Sequence, residues 1–275
     1  MSTQRILIVE PIFCPTQAMY ERNSNSIKSL GEYIKQNNVS NVECQFGGWA
    51  TPEYWPKILV DIKQYFPNHE ITSFKNNVGK AVAVNFLVKK HLKSHHDWII
   101  SSDSDIIFSN DVPDRFNRMI NLASLMAAYK KMPVGMIAFN QQGQNCHLPH
   151  EVYQNKYPVK SNVNGKIYEE LACWGSGAGG IAGGCIFISR KAWEMVGGYR
   201  VMGCYAGDDA YLLLDIAAKG YSWQMADTIP ITHPHQHDED YANWKRLVCQ
   251  RDSGQNRPDI TAQIKEAEEF WSKRK

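Results

Sequence analysis

The first half of the chain alternates short apolar segments with longer segments whose apolar residues recur every three or four positions. The short segments are RILIVEPIF, VECQFGGWA, EITSF and DWIISS, at residues 5–13, 42–50, 70–74 and 97–102. The longer segments, at residues 17–37, 53–66 and 80–93, have the spacing of amphipathic helices. This alternation predicts an α/β fold in which parallel strands are joined by crossover helices, with the first strand ending at Pro11.

The second half of the chain predicts further helices and strands, separated by polar and glycine-rich segments. Asn110 or Asp111 can cap a helix that ends before Pro133. Apolar runs predict strands at 134–139, 185–189 and 221–232, and helices run from Ser189 to Gly197 and from Gly207 to Gly220. Residues 140–168 are polar and irregular, which predicts a long loop.

Composition narrows the class of protein. Of 275 residues, 43% are hydrophobic, and 30 Lys+Arg against 28 Asp+Glu give a net charge of +2. These values exclude wholesale disorder and a general polycationic coat for nucleic acid. The sequence contains no run of about 18 apolar residues, so it predicts no membrane span. The first ten residues do not resemble a secretory signal. Seven cysteines without a CxxC pair favour reduced thiols. We therefore expect a cytoplasmic protein.

Two carboxylates follow the strand predicted at 97–102: Asp103 and Asp105, with Ser104 between them. The carboxyl end of a central strand is where open α/β sheets bind ligands. A hard divalent cation takes one or two carboxylates together with phosphate oxygens of a substrate. The motif therefore indicates a metal site, and a solvated turn or a helix cap is the alternative.

A second candidate lies upstream, where residues 77–85 turn into a helix. Gly79 gives conformational freedom at the turn, and the start of the helix offers backbone donors to an anion. Lys80 adds a positive charge suited to phosphate. An ordinary turn with a solvated lysine is the alternative.

Two later segments carry further candidates. Asp208 and Asp209 open a helix, where the dipole favours an ionised carboxylate that can act as a general base or simply as a cap. His233, His235 and His237 alternate along an extended segment. One of them could complete a metal site begun by Asp105; three together could bind zinc, or the segment could be a polar loop.

In this order and spacing the motifs resemble the nucleotide-sugar glycosyltransferases of the GT-A fold, close to family 2. They are NxGxxxAxN at 77–85, Asp103-Ser104-Asp105, Gly180–Gly184 followed by CIFISRKAWEMVGGY, GDDAYLL and His233. The resemblance covers roughly residues 5–235. It implies one domain with a mixed, mainly parallel sheet flanked by helices. Residues 1–110 would form the donor half, 111–235 the sugar and acceptor half, and 236–275 a helical tail.

The resemblance also implies roles for individual residues. Asp209, with Asp208 second, would be the general base. The metal ligands for Mn²⁺ or Mg²⁺ would come from Asp105, His233, Asp103 and His235. The nucleotide-sugar donor would be bound by Asn77, Gly79, Lys80, Asp103 and Ser104, by Gly183 and Gly184 in the sugar pocket, and by Glu10, Pro11 and Phe13 beside the nucleobase.

The expected reaction is metal-dependent transfer of a hexose or pentose from a nucleotide diphosphate to a hydroxyl of a glycan, a small molecule or a modified DNA base. A DNA base is included among the acceptors because the lysine-rich stretch at 75–96 contains no acidic residue and could contact a phosphate backbone. The second strand ends in Gly47-Gly48-Trp49 where the family has an acid, so Trp49 could stack on the base instead. Without a membrane span or a QxxRW block, we expect a non-processive enzyme, inverting rather than retaining. The alternatives are a nucleotidyl- or phosphotransferase and a silent nucleotide-sugar-binding protein.

Overall fold

The computed structural model describes residues 4–143, 156–175, 183–201 and 208–234. The strands in these ranges are β1 (Arg5–Cys14), β2 (Val42–Ala50), β3 (Ile71–Ser73), β4 (His96–Ser102), β5 (Val134–Gln142), β6 (Lys156–Val163), β7 (Lys166–Gly175), β8 (Cys185–Ser189) and β9 (Ser222–Thr232). The helices are α1 (Gln17–Gln36), α2 (Trp55–Tyr65), α3 (Lys80–His91), α4 (Arg115–Lys130), α5 (Arg190–Val196) and α6 (Asp208–Ala218).

The described strands form one mixed sheet in the order β3-β2-β1-β4-β8-β5-β9-β7-β6. Strands β1 to β4 are parallel, and β5 is parallel to β9. Strand β8 lies between β4 and β5 and is antiparallel to both, so its first residue, Cys185, lies opposite Ser102 at the end of β4. The carboxyl ends of the parallel strands therefore share one edge with the entrance to β8.

Helices cover both faces of the sheet. Along β1, Ile6 and Ile8 pack with apolar residues of α1, α2 and α4, whereas Leu7 and Val9 pack with residues of α3, α5 and α6. Strands that are buried on both faces need apolar residues at successive positions, and this explains the continuous apolar runs in the sequence. The predicted α/β fold with a mainly parallel sheet flanked by helices is confirmed.

Two predicted element ends were wrong. Strand β1 continues through Pro11 to Cys14. Its pairing with β4 stops at Val9, so from Glu10 onward β1 is paired with β2 alone and its other side has no partner among the described strands. Proline is tolerated where one side of a strand has no partner. Helix α4 begins at Arg115, after Asp114 in a left-handed conformation (φ 52°), and not at the cap expected at Asn110 or Asp111.

The loop predicted over residues 140–168 was also wrong in part. Strand β5 extends to Gln142, and β6 and β7 form an antiparallel hairpin closed by Asn164 and Gly165. Both turn residues have positive φ, 52° and 82°, as a two-residue type I′ turn requires. The Asn-Gly pair in the sequence was the available signal for this hairpin.

A buried ion pair fastens the hairpin to the rest of the sheet. Arg118 of α4 donates to both carboxylate oxygens of Glu170 in β7, at 2.7 and 3.0 Å. The Thr228 hydroxyl of β9 donates to the same carboxylate, and the Tyr168 ring lies under the guanidinium, 4.5 Å from ring centroid to Cζ. Three elements thus meet at one charged group.

Two further findings bear on the sequence predictions. Cys14, Cys44, Cys173 and Cys185 are free and buried in the described ranges. Within the same ranges, no helix combines the length and the apolar character needed to cross a bilayer.

We expect Glu170→Gln to reduce the free energy of unfolding by about 3 kcal/mol, because it leaves the buried Arg118 charge uncompensated. Urea unfolding measures this. The matched control is Glu169→Gln, since Glu169 and its partner Lys160 are 83% and 77% exposed, and exposed pairs contribute about 0–1 kcal/mol. Equal effects of the two substitutions would contradict the anchoring role of Glu170.

Candidate active site

The loop after β4 is fixed by backbone hydrogen bonds at both of its ends. The Asp103 amide donates to the Gly184 carbonyl at 2.6 Å, just before β8. Further on, Ile107 and Thr232 exchange hydrogen bonds of 2.8 and 3.1 Å at the end of β9. The Asp103-Ser104-Asp105 motif is therefore brought against the residues that follow β9.

His233 pairs with Asp105 at this junction. The His233 Nε2 lies 3.1 Å from Asp105 Oδ1, and His233 Nδ1 lies 3.1 Å from Gln141 Oε1. Burial acts to lower the pKa of His233, but the hydrogen bond and charge of Asp105 and the charge of Asp103 outweigh it and raise the pKa above its usual value. Since the Gln141 oxygen can only accept, Nδ1 carries a proton and Nε2 faces Asp105.

These residues fit a divalent cation. One ligand atom from each of Asp103, Asp105 and His233 lies within 4.8 Å of the others. Carboxylate oxygens and an imidazole nitrogen suit Mn²⁺, and ligating histidines usually donate their second ring N–H to an oxygen, as His233 does to Gln141.

Two glycines allow the functional side chains to approach each other. A Cβ added to Gly183 would lie 1.6 Å from Asp209 Oδ2, and one added to Gly184 would lie 2.6 Å from His233 Nδ1. Any larger residue at either position would displace a carboxylate or the imidazole. The structure thus gives these glycines a role in packing the site; their contact with a sugar stays a prediction.

Lys80 joins the two groups of carboxylates. Its Nζ lies 2.8 Å from Asp103 Oδ1, 3.2 Å from Asp209 Oδ1 and 2.9 Å from the Gly183 carbonyl oxygen. Burial acts to lower the pKa of Lys80, but the charges of Asp103 and Asp209 raise it well above its usual value. The lysine is therefore charged and already paired, rather than solvated.

The asparagines and the glycine of the NxGxxxAxN motif shape the segment that carries Lys80. The Asn77 side chain accepts the Gly79 amide at 2.9 Å, and Gly79 has φ 79° directly before α3. Asn85 donates to the Tyr199 carbonyl and accepts its amide, at 2.8 and 2.9 Å. This clamp holds the GGY segment after α5 against α3. Contacts of Asn77 and Gly79 with a donor stay predictions.

The residues expected beside a nucleobase lie at the ends of β1 and β2. Phe13 stacks on Trp49, with ring centroids 5.7 Å apart and planes 24° apart. Pro11 and both rings are partly exposed, whereas Glu10 has no exposed surface. The exposed surface at this end of β1 and β2 is therefore apolar, with Glu10 behind it; contact of these residues with a nucleobase stays a prediction.

Close packing explains why β2 has a glycine, and not an acid, near its end. Gly48 lies opposite Ile12 of β1, and a Cβ on Gly48 would lie 1.9 Å from the Ile12 carbonyl oxygen. A side chain there would separate β1 from β2. The glycine at this position is thus required by the close approach of the two strands.

Glu10 is a buried carboxyl whose two oxygens make no close hydrogen bond within the described residues. Burial raises the pKa of Glu10 well above its usual value; Ser26 opposes this, and the charges of Asp105 and Asp103 add to it. The apolar run in which Glu10 stands was the one sequence signal for this burial.

A polar pocket of about 390 Å³ adjoins the metal-binding group. One wall is a face of α1 that includes Glu21, Arg22 and Lys28, and the other includes Asp105 and Pro234. Its volume is in the range of small-molecule sites.

A second cluster of metal-binding residue types lies at the opposite edge of the sheet. Glu43 Oε1 is 2.9 Å from His95 Nε2 and 3.5 Å from His96 Nε2. The His96 Nδ1, however, accepts the Lys93 amide at 3.0 Å, so in neutral His96 the proton is on Nε2. A protonated Nε2 has no lone pair for a metal, and Lys93 also pairs with Glu43 at 3.0 Å. The cluster is therefore an ion-pair network.

Several predicted residues stay outside these contacts. Ser104 is buried within the motif. Asp208 is the first residue of α6, as predicted, but its side chain lies outside the described part, as do His235, Gly179, Gly180 and the tail at 236–275. Gln141, in contrast, was not a sequence candidate, because a glutamine at the end of an apolar strand has no distinctive spacing.

Neither a protein-family model nor a curated protein matches the sequence. Among solved structures, S. aureus TarS 1–349 matches at 11% identity and TM-score 0.55, covering 98% of this chain and 71% of that one. TarS 1–349 in complex with UDP matches at 10% identity and TM-score 0.55, with the same coverage. GalNAc-T7 with UDP, GalNAc and Mn²⁺ matches at 11% identity and TM-score 0.61, covering 98% and 55%. The predicted GT-A fold is confirmed.

We expect Glu10→Gln to stabilise the protein at neutral pH by about 1 kcal/mol or more. The folded-state pKa of Glu10 is raised. Its contribution to stability is therefore fully present below about pH 4.3, which is the pKa of a glutamate in an unfolded chain. This contribution is lost as the pH rises through the folded-state pKa. The difference between variant and wild type should therefore grow from pH 4 to pH 7 in urea unfolding. Glu21→Gln, at an exposed site on α1, is the control; a gap independent of pH would exclude the effect.

Proposed function

We propose that this protein is a metal-dependent glycosyltransferase that moves a sugar from a nucleoside diphosphate to an acceptor hydroxyl. The observation that carries the proposal is the meeting of two groups at the carboxyl edge of a GT-A sheet. Asp105 and His233 form one, 3.1 Å apart, and Asp103, Lys80 and Asp209 form the other. Open α/β sheets bind ligands at this edge. The GT-A fold is shared with structures that contain UDP, and one of these also contains Mn²⁺.

Asp105 and His233 would hold the divalent cation, with Asp103 as a further ligand or a contact to the donor. When bound, the cation supplies positive charge that offsets the charge of the leaving diphosphate. Gln141 keeps the His233 Nε2 directed toward Asp105. Pro11, Phe13 and Trp49 would provide the apolar surface for the nucleobase.

Asp209 is the proposed general base. It lies at the amino end of α6, where the helix dipole favours the ionised carboxylate, and Lys80 is 3.2 Å from its Oδ1. The acceptor hydroxyl passes its proton to Asp209 as its oxygen bonds to the anomeric carbon, and the bond from that carbon to the diphosphate oxygen breaks with its electron pair. One base and one displacement lead to inversion.

The acceptor is proposed to be a glycan or a small molecule rather than DNA. Three lysines of the 75–96 stretch are already paired: Lys80 with Asp103 and Asp209, Lys90 with Glu70 and Lys93 with Glu43. Paired lysines release few counterions when they meet a phosphate backbone, so they provide little affinity for nucleic acid.

The proposal is tested by a panel of nucleotide sugars with Mn²⁺, scored by thermal shift and by the released product. One donor should stabilise the protein and release a nucleoside diphosphate, by transfer or slow hydrolysis. Release of pyrophosphate would indicate a nucleotidyltransferase instead. Stabilisation without turnover on any acceptor would indicate a binding protein.

We expect Asp209→Asn to lower kcat by about 10²–10⁴-fold, the usual contribution of a positioned base. The amide has nearly the same shape, so folding and donor binding should be retained. Steady-state kinetics with the donor found in the panel measures the effect. Asp215→Asn, on the same helix but paired with Arg200, serves as the control, and turnover near wild type in Asp209→Asn would exclude this residue as the base.

We expect Asp105→Asn and His233→Gln each to weaken Mn²⁺ binding in the presence of UDP by about 10–100-fold or more. Electron paramagnetic resonance of free Mn²⁺ measures this without requiring turnover. His95→Gln is the matched control, because it removes the histidine that pairs with Glu43 at the other edge of the sheet. An unchanged Mn²⁺ titration in His233→Gln would remove His233 from the site.

A further inference from the structure

Lys80 is surrounded by acceptors in a way that limits what else it can bind. An ammonium group has three protons, and three oxygens lie within 3.2 Å of the Lys80 Nζ: those of Asp103, Asp209 and the Gly183 carbonyl. The side chain is 19% exposed. A phosphate oxygen could bind only by displacing one of these partners.

Charge leads to the same conclusion. Lys80 carries one positive charge, and Asp103 and Asp209 carry two negative charges between them, so the group is net negative when both carboxylates are ionised. A diphosphate would gain little attraction from a lysine that two carboxylates already offset. Without Lys80, however, those carboxylates would repel each other across a partly buried space.

The three partners come from separate parts of the fold. Asp103 follows β4, Gly183 precedes β8, and Asp209 belongs to α6. The Asn77 turn and the positive φ of Gly79 fix the backbone from which Lys80 extends. The Lys80 side chain therefore contacts both the proposed base and Asp103 of the proposed donor site.

We propose that Lys80 is a positioning residue for Asp209 and not a ligand of the donor diphosphate. It binds Oδ1 of Asp209, holds the carboxylate in one orientation and links it to Asp103, which leaves Oδ2 to take the acceptor proton. This inference rests on the proposed function for the identity of the base. The ion bridge itself does not depend on turnover.

The two roles of Lys80 differ in what its loss would change. A phosphate ligand would contribute to nucleotide affinity, so its removal would raise the dissociation constant and the donor KM. A positioning residue would act on the proton-transfer step, so its removal would lower kcat at similar donor KM. Arginine would restore charge but not the compact three-donor geometry, so it should rescue only in part.

The first experiment compares Lys80→Met and Lys80→Arg with Lys90→Met, a control on the same helix whose lysine pairs with Glu70. Calorimetric titration with UDP and Mn²⁺ should give dissociation constants within about threefold of wild type for all three variants. With the donor found in the panel, Lys80→Met should lose about 100-fold in kcat at similar donor KM, and Lys80→Arg should lose less. A rise of tenfold or more in the UDP dissociation constant of Lys80→Met would overturn the proposal.

The second experiment needs neither metal nor substrate. Urea unfolding of wild type, Lys80→Met, Asp209→Asn and the double variant forms a double-mutant cycle. The double variant should be less destabilised than the sum of the single variants, because Lys80→Met alone leaves Asp103 and Asp209 to repel each other, and Asp209→Asn removes that repulsion. Additive effects would overturn the link between Lys80 and Asp209. If wild type transfers no sugar at all, the proposed function fails, whereas this cycle still decides whether Lys80 is coupled to Asp209.

Discussion

The geometry of the candidate site depends on one antiparallel strand placed between two parallel ones. Because β8 runs against β4 and β5, its entrance lies at the edge where β4, β5 and β9 end. The Gly184 carbonyl can then accept a hydrogen bond from the Asp103 amide. Gly184 also packs against the His233 ring, and Gly183 packs against the Asp209 carboxylate. A parallel strand in this position would present its exit here, so the backbone that holds these side chains together would be absent.

The same residue types serve different purposes at the two edges of the sheet, and the partner of one ring nitrogen decides which. His233 donates from Nδ1 to an amide oxygen, so its Nε2 is directed to a carboxylate and suits a metal. His96 accepts a backbone amide at Nδ1, so its Nε2 is protonated beside Glu43. Proximity of histidines to a carboxylate is thus insufficient evidence for a metal centre; the hydrogen-bond direction at the other nitrogen is needed.

The sequence predicted what depends on local pattern and missed what depends on tertiary packing. Strands buried on both faces leave continuous apolar runs, so β1, β4 and β8 were predictable, and Ser189 caps α5 as expected, accepting the Ala192 amide. The pairing of Asp105 with His233 was suggested by residue type. The partners of Lys80 and of Asn85 come from distant segments, and no spacing rule indicates them. The β6–β7 hairpin was missed because its residues are polar on the exposed face, although Asn164-Gly165 marked its turn.

The ends of the sheet have a consequence for how the protein meets other molecules. On one side the outermost described strand, β3, has only three residues. On the other side β6 carries Lys156, Pro158 and Lys160, and proline removes an amide while lysines discourage the approach of another backbone. Among the described residues, one border is thus very short and the other has its row of amides interrupted by Pro158. In the described part of the chain, self-association by strand addition at these borders is therefore disfavoured.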